Sequence, residues 1–130
     1  MCGIAGYTIS NGTKDCLNEM LRAIIHRGPD NIGIYKDNNI SLGMTRLMIN
    51  DLKTGDQPFY NHKKTTVVTY NGEIYNYKEL KQKLIKSGHK FHSSSDGEVI
   101  VYLYEEYKEN LFSMLDGMFS ISIWDNKKKN

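Results

Sequence analysis

The sequence has no apolar run long enough to cross a bilayer, and its first residues lack the basic and apolar regions of a secretory signal. Cysteine is scarce as well, because Cys2 and Cys16 are the only two among 130 residues. An intracellular chain with so few cysteines is normally reduced, and the four histidines show no spacing with them that is typical of a structural zinc site. We therefore expect a cytoplasmic protein with free thiols, no bound metal and no membrane contact.

A large excess of one charge is also missing. Removing Lys127, Lys128 and Lys129 at the end of the chain from the count of 17 basic residues leaves 14, against 15 acidic ones. A nearly neutral body gives no electrostatic footprint for nucleic acid. With 39% apolar and 25% charged residues the composition is globular, and 130 residues fit one domain, which we place at 1–130.

What the sequence does have is a cysteine directly after the initiator methionine. If Met1 is removed, Cys2 carries both a thiol and a free α-amine, and an α-amine with a pKa of about 8 is partly unprotonated near neutral pH. Nucleophile and general base would then share one residue. The alternative is a small residue that merely begins a strand, although Gly3 and Gly6 would allow a ligand to approach closely.

Periodicity predicts strands mixed with helices. The expected strands lie at 3–9, 33–36, 40–45, 66–70 and 118–124, and the expected helices at 13–26, 76–88 and 95–107. The polar loop His26-Arg27-Gly28-Pro29-Asp30 follows the first helix, and it either ends that helix or supports a site.

Two charged residues have two readings each. Arg46, at the end of an apolar strand, is either a surface arginine or a planar fork for a substrate carboxylate. Asp96 is expected in the first turn of the third helix, where it either caps the helix or binds an ammonium group.

Asn71-Gly72 follows a β-rich run and has two readings too. Asn-Gly between strand-like segments is a strong hairpin signal. Alternatively, the asparagine amide and the glycine N–H, presented at a sharp turn, form an oxyanion hole for acyl transfer.

Taken together, these motifs resemble the class II glutamine amidotransferases, which are N-terminal-nucleophile hydrolases. Within that family the resemblance is greatest to the glutaminase half of the glutamine-hydrolysing asparagine synthetase branch. The matching segments occur in family order: Met1-Cys2-Gly3-Ile4, His26-Arg27-Gly28-Pro29-Asp30, Arg46-Leu47, Asn71-Gly72-Glu73-Ile74-Tyr75-Asn76, Ser95-Asp96-Gly97-Glu98-Val99-Ile100 and Asp116-Gly117-Met118-Phe119.

The resemblance implies the catalytic roles. Cys2 attacks the side-chain amide of glutamine, its amine transfers the proton, and Asn71 with the Gly72 N–H forms the oxyanion hole. Ammonia leaves first, and water then hydrolyses the glutamyl thioester to glutamate.

The resemblance also implies the groups that bind the substrate. Arg46 holds the α-carboxylate of glutamine, Asp96 and Glu73 receive its α-ammonium group, and main-chain groups near Ile49 and Gly72 complete the pocket.

The implied fold is α+β, a four-layer α-β-β-α sandwich that is incomplete at the C-terminus of this chain. The synthetase half that binds ATP is absent, and no phosphate-binding glycine loop occurs in the sequence. Glutamine hydrolysis itself is expected to need no cofactor, and ATP and Mg belong to the absent synthetase domain.

The implied partners are glutamine and a synthetase domain or subunit that receives the ammonia, and a homodimer is allowed. Two alternatives remain open. The chain could serve another acceptor, such as a sugar or nucleotide precursor. It could also be a non-catalytic truncated remnant, since an incomplete sandwich exposes sheet edges.

Overall fold

Two antiparallel sheets of three strands each form the centre of the molecule, in the order β1-β3-β2 and β4-β5-β6. The computed structural model describes residues 2–49 and 53–130. Its strands are β1 Gly3–Thr8, β2 Asn31–Lys36, β3 Ile40–Arg46, β4 Phe59–Tyr60, β5 Thr66–Ile74 and β6 Gly117–Asp125. Its α-helices are α1 Leu17–Ala23, α2 Tyr77–Lys86 and α3 Glu98–Tyr107, and 3₁₀ turns span Ile25–Arg27 and Lys108–Met114. No α-helix in these two ranges is long and apolar enough to cross a membrane.

The first two layers are α1 and the sheet that contains β1. Leu17 and Leu21 lie four positions apart, so they share one helix face, and both are buried. Leu21 packs directly over Gly43 of β3. The opposite face of β3 places Ile40 and Leu42 against the second sheet.

The second sheet is covered by apolar side chains on both faces. Alternate residues of β5 point to opposite sides: Val67 joins the cluster between the sheets, whereas Val68 and Ile74 pack with α2 and α3. The layers therefore run α-β-β-α, and the α+β sandwich expected from the sequence is confirmed.

A hydrogen bond joins the two sheets at the turn between β2 and β3. Trp124 on β6 donates its indole N–H to the carboxylate of Asp37, between β2 and β3, at 2.8 Å. Burial acts to raise the pKa of Asp37, but hydrogen bonds from the Asn39 N–H, the Tyr35 hydroxyl, the Trp124 indole and the Ile40 N–H outweigh it. The pKa of Asp37 therefore lies below its ordinary value, and the group stays charged near neutral pH.

The hairpin reading of Asn71-Gly72 is wrong, because β5 continues through both residues. Strand β6 pairs with β5 over its full length, and Phe119 lies opposite Gly72. Gly72 has a positive φ of 152° within this strand. That conformation accommodates the close approach of β6, since a Cβ on Gly72 would lie 2.1 Å from the carbonyl oxygen of Met118.

Substituting this glycine should therefore destabilise the fold strongly. We expect Gly72→Ala to lower the free energy of unfolding by at least about 3 kcal/mol, from backbone strain and overlap together. Gly88→Ala is the matched control, because Gly88 also has a positive φ, of 97°, but a Cβ there meets nothing within 4 Å. Strain alone should cost about 1 to 2 kcal/mol. Urea unfolding measures both, and equal losses would show that the contact with β6 does not matter.

The string Asn76-Tyr77-Lys78-Glu79 has the form of a capping box, but no such cap forms, although helix α2 follows as expected. Asn76 makes no side-chain cap. Its amide instead donates to the Met114 carbonyl at 2.9 Å and accepts from the Asp116 N–H at 3.0 Å. The side chain thus ties the end of β5 to the segment that leads into β6.

Candidate active site

A cleft of about 250 Å³ opens where the start of β1, the end of β3 and the end of β5 meet. We call it the Cys2 cleft. Strands β1 and β3 are antiparallel with Gly3 opposite Thr45, so the first residues of the chain lie beside the end of β3. The cleft lining includes all seven site residues expected from the sequence: Cys2, Arg46, Ile49, Asn71, Gly72, Glu73 and Asp96.

Cys2 is held at the cleft by its neighbours. Its side chain is half-buried, and Sγ accepts a hydrogen bond from the Leu47 N–H at 3.4 Å. Its carbonyl oxygen accepts from Arg27 Nε at 3.1 Å. The thiol is therefore accessible from the cleft while the backbone that carries it is fixed. Cys16, the other cysteine, is a free thiol directly before α1, and its N–H donates to the Tyr7 hydroxyl at 3.2 Å.

The loop from His26 to Asp30 ends the helical segment at Gly28 and also packs against the end of β3, so both readings of it hold. Gly28 packs so tightly that a Cβ would lie 2.5 Å from the backbone of Arg46. The Asp30 N–H donates to the Arg46 carbonyl at 3.0 Å, and the Asp30 carboxylate accepts from the Met48 N–H at 2.8 Å. The loop thus braces the end of β3 from both sides.

Arg46 is not a surface arginine, since only 4% of it is exposed. Its Nη1 forms an ion pair with Asp56, whose carboxylate also accepts from Asn31 Nδ2 at 2.9 Å. Asp56 itself is largely exposed. The planar fork of a guanidinium matches the geometry of a carboxylate, which is the group that Arg46 already binds here.

Asn71 and Gly72 face the cleft from β5. Asn71 shares a strand face with Val67 and Thr69, both directed at the first sheet, and its Oδ1 is buried without a partner in the described ranges. The N–H groups of Tyr70 and Ile74 bond away from β6, to Gln57 and Asp96. Because the direction of the N–H groups along a strand repeats every second residue, the Gly72 N–H also points away from β6. The donors proposed for an oxyanion hole therefore come from a strand and not from a turn.

Asp96 does not cap helix α3, which begins two residues later. Its Oδ2 accepts from the Tyr70 hydroxyl at 2.7 Å and from the Ile74 N–H at 2.8 Å. The cap reading is therefore wrong. Hydrogen bonds from strand β5 hold the Asp96 carboxylate at the cleft. Glu73 lies exposed at the cleft rim.

Ile49 lies at the opposite rim, with 68% of its surface exposed. Its N–H donates to the Leu47 carbonyl at 3.1 Å. The main-chain groups expected near Ile49 include residues 50–52, which lie outside the described residues.

Sequence reasoning missed Gln57 and Tyr70, which also line the cleft. Neither stands in a motif with a chemical signature, and their contacts join segments distant in sequence. Position gave one usable signal, because Tyr70 directly precedes Asn71-Gly72.

A second and larger cleft, of about 730 Å³, lies between α1, β1 and the second sheet. Its lining is mainly apolar, with the hydroxyls of Tyr7, Thr8, Thr69 and Ser122 and no charged side chain among the described residues. A zwitterionic ligand therefore fits the Cys2 cleft better, because only that one offers both a guanidinium and carboxylates.

Two antiparallel sheets between helical layers, with a cysteine from the start of the chain at the cleft where the sheets meet, are typical of the class of N-terminal-nucleophile hydrolases. Within that class the chain belongs to the family described as the glutamine amidotransferase domain, whose sequence model matches residues 1–130.

Proteins with similar sequences are longer than this chain. The chain is 46% identical over 134 residues to an asparagine synthetase [glutamine-hydrolyzing] of Zea mays, covering 100% of this chain and 22% of that protein. It is 50% identical over 131 residues to the asparagine synthetase [glutamine-hydrolyzing] of Brassica oleracea, and the match covers 98% of this chain and 22% of that protein. The chain thus spans about a fifth of these relatives. Among solved structures, the glutamine phosphoribosylpyrophosphate amidotransferase from B. subtilis superposes with a TM-score of 0.55 at 26% identity, covering 70% of this chain and 22% of that chain.

Proposed function

We propose that this chain hydrolyses glutamine to glutamate and ammonia through Cys2, as the glutaminase part of an asparagine synthetase. The observation that carries the proposal is the convergence on one cleft of a thiol, an asparagine with a glycine amide, a buried guanidinium and two carboxylates. Glutamine has an amide to be attacked, one anion and one cation, so each group has a counterpart.

The chemistry begins with the Cys2 thiol. Sγ attacks the side-chain carbonyl carbon, while the thiol proton passes to the α-amine that removal of Met1 exposes. The carbonyl oxygen becomes an oxyanion, which the Asn71 amide and the Gly72 N–H stabilise. When the C–N bond breaks, the amine returns the proton and ammonia leaves. Water then adds to the thioester and gives a proton to the amine. The C–S bond breaks, the amine returns that proton to sulfur, and glutamate leaves with the free thiol restored.

The α-carbon of the substrate is held by charges that do not change in the reaction. Arg46 meets the α-carboxylate, and Asp96 with Glu73 meets the α-ammonium group. Glutamate would bring a second carboxylate to the amide end, where the described lining offers no cationic side chain besides the Arg46 assigned to the α-carboxylate, and leaving that charge without an ion pair is costly.

Loss of the guanidinium should therefore weaken substrate binding more than it slows chemistry. We expect Arg46→Ala to raise KM for glutamine on the order of 30-fold with a smaller change in kcat. The exposed carboxylate of Asp56 would then be solvated, so the fold should survive. Arg22→Ala is the control, because Arg22 is exposed on α1 and does not line the cleft. Steady-state assays of glutamate release measure both constants, and a fall in kcat as large as the rise in KM would contradict the assignment.

The acceptor of the ammonia is proposed from the relatives. Those at 46% and 50% identity are named asparagine synthetases, whereas the phosphoribosylpyrophosphate amidotransferase is 26% identical. The intact set of site residues argues against a non-catalytic remnant. In the full chain, glutamine-dependent formation of asparagine from aspartate with ATP and Mg would support the proposal. Ammonia transfer to phosphoribosylpyrophosphate would favour the other acceptor.

The lack of a cofactor for hydrolysis, the cytoplasmic location and the homodimer stay predictions.

A further inference from the structure

Asp96 is anchored through one of its two oxygens. Both donors, the Tyr70 hydroxyl at 2.7 Å and the Ile74 N–H at 2.8 Å, bind Oδ2. Oδ1 has no hydrogen bond within the described ranges, and it is not enclosed by protein as Asn71 Oδ1 is. Two donors on one oxygen fix the plane of the carboxylate, so Oδ1 remains the oxygen that can meet a ligand.

Tyr70 is itself held firmly. Only 3% of it is exposed, and its ring lies against the backbone of Gly97, where a Cβ would come within 2.5 Å of the ring. Its N–H donates to Gln57 Oε1 at 2.7 Å, and its carbonyl accepts from Gln57 Nε2 at 2.9 Å. Strand β4 pairs with β5 only at Val67 and Val68. Beyond that pairing, the Gln57 amide supplies the hydrogen-bond partners of the Tyr70 N–H and carbonyl. A hydroxyl on so fixed a ring has little freedom to bond elsewhere.

The charges around the cleft favour a cation near Asp96. Arg46 is the one cationic side chain among the described lining residues, and it is paired with Asp56. Glu73 and Asp96 add two negative charges. Burial, followed by the hydrogen bond to Asp96 and the nearby negative charges, raises the pKa of Tyr70 far above its usual range. The phenol therefore stays protonated and donates to Asp96.

From this geometry we propose that Tyr70 is a positioning residue, whose hydroxyl orients the Asp96 carboxylate so that Oδ1 receives the α-ammonium group of the substrate. The inference rests on the proposed glutaminase function and deepens it. Tyr70 does not contact the reacting amide, so it acts on substrate binding through Asp96 and not on bond breaking.

The test compares Tyr70→Phe with wild type in the full chain. Phenylalanine keeps the ring against Gly97 and removes only the hydroxyl. We expect KM for glutamine to rise about tenfold with kcat little changed, as for the loss of a hydrogen bond to a charged group. Tyr102→Phe is the matched control, because Tyr102 is fully buried and its hydroxyl donates to the Lys90 carbonyl at 2.9 Å, away from the cleft. It should leave KM unchanged.

Two further measurements separate positioning from a general structural effect. Glutaramate, which is glutamine without its α-amino group, should inhibit wild type and Tyr70→Phe with the same inhibition constant. In an Asp96→Asn background, adding Tyr70→Phe should change KM for glutamine little, because the residue acts through Asp96. An unchanged KM for glutamine in Tyr70→Phe, or equal weakening of glutamine and glutaramate, would overturn the inference alone. A wild type that does not hydrolyse glutamine would overturn the proposed function and this inference with it.

Discussion

Cys2→Ala should abolish glutamine hydrolysis and leave the fold intact. We expect kcat to fall by at least about 10⁴-fold, since the variant has no atom that can form the thioester. Little stability should be lost, because the side chain is small and half-buried, and its best contact is the 3.4 Å hydrogen bond from the Leu47 N–H. Ammonia release and thermal melting of the same preparation measure the two effects.

Cys16 provides the internal control. It is also a half-buried free thiol, with Sγ 3.9 Å from Met20 Sδ, but it does not line the Cys2 cleft. A glutamine analogue that carries an electrophile should label Cys2 in wild type and in Cys16→Ala, and intact-mass analysis should show that Met1 is gone. A label found on Cys16 alone would contradict the assignment.

Asn71→Ala should give the second largest effect, on kcat and not on KM. Removal of one oxyanion donor typically costs roughly 3 to 4 kcal/mol of barrier, so we expect kcat to fall about 10²- to 10³-fold. The substrate charges would still be bound by Arg46 and Asp96, and KM should change little. Since the Asn71 Oδ1 has no partner to lose in the described ranges, the fold should tolerate the change.

Thr69→Val is the matched control for Asn71→Ala. Thr69 lies two residues earlier on the same face of β5, is fully buried, and its Oγ1 also lacks a partner in the described part of the chain. It lines the second, apolar cleft. Removing its hydroxyl should therefore leave kcat unchanged and cost no stability. If Thr69→Val slowed the reaction as much as Asn71→Ala, the loss would reflect distortion of the strand.

The sequence was a good guide wherever a pattern repeats. Helix α2 and strands β3 and β6 show periodic apolar positions, and burial of those positions explains the layers. Of the residues that line the Cys2 cleft, Cys2, Asn71 and Asp96 were found by motif, because each stands in a short string that resembles a family segment. Local patterns of this kind need no knowledge of distant contacts.

Errors arose where a distant segment overrides a local preference. Asn71-Gly72 has the propensity of a hairpin, but Phe119 and its neighbours pair across it and keep the strand straight. Asp96 stands where a helix cap is expected, yet Tyr70, 26 positions earlier, supplies the bond that holds it. Gln57 shows the same limit, since nothing in its own surroundings indicates that it replaces a strand beside Tyr70.

The indole that joins the two sheets also supplies an optical signal from the end of the sandwich away from the Cys2 cleft. Trp124 is the single tryptophan of the chain, 4% exposed and bound to Asp37 of the opposite sheet. Indole fluorescence moves to longer wavelength when the ring becomes exposed to water. The emission wavelength of Trp124 therefore depends on how closely the two sheets pack around it. One of these sheets begins directly after Cys2 and the other carries Asn71, so a movement that parts the sheets along their whole length would become visible without a label.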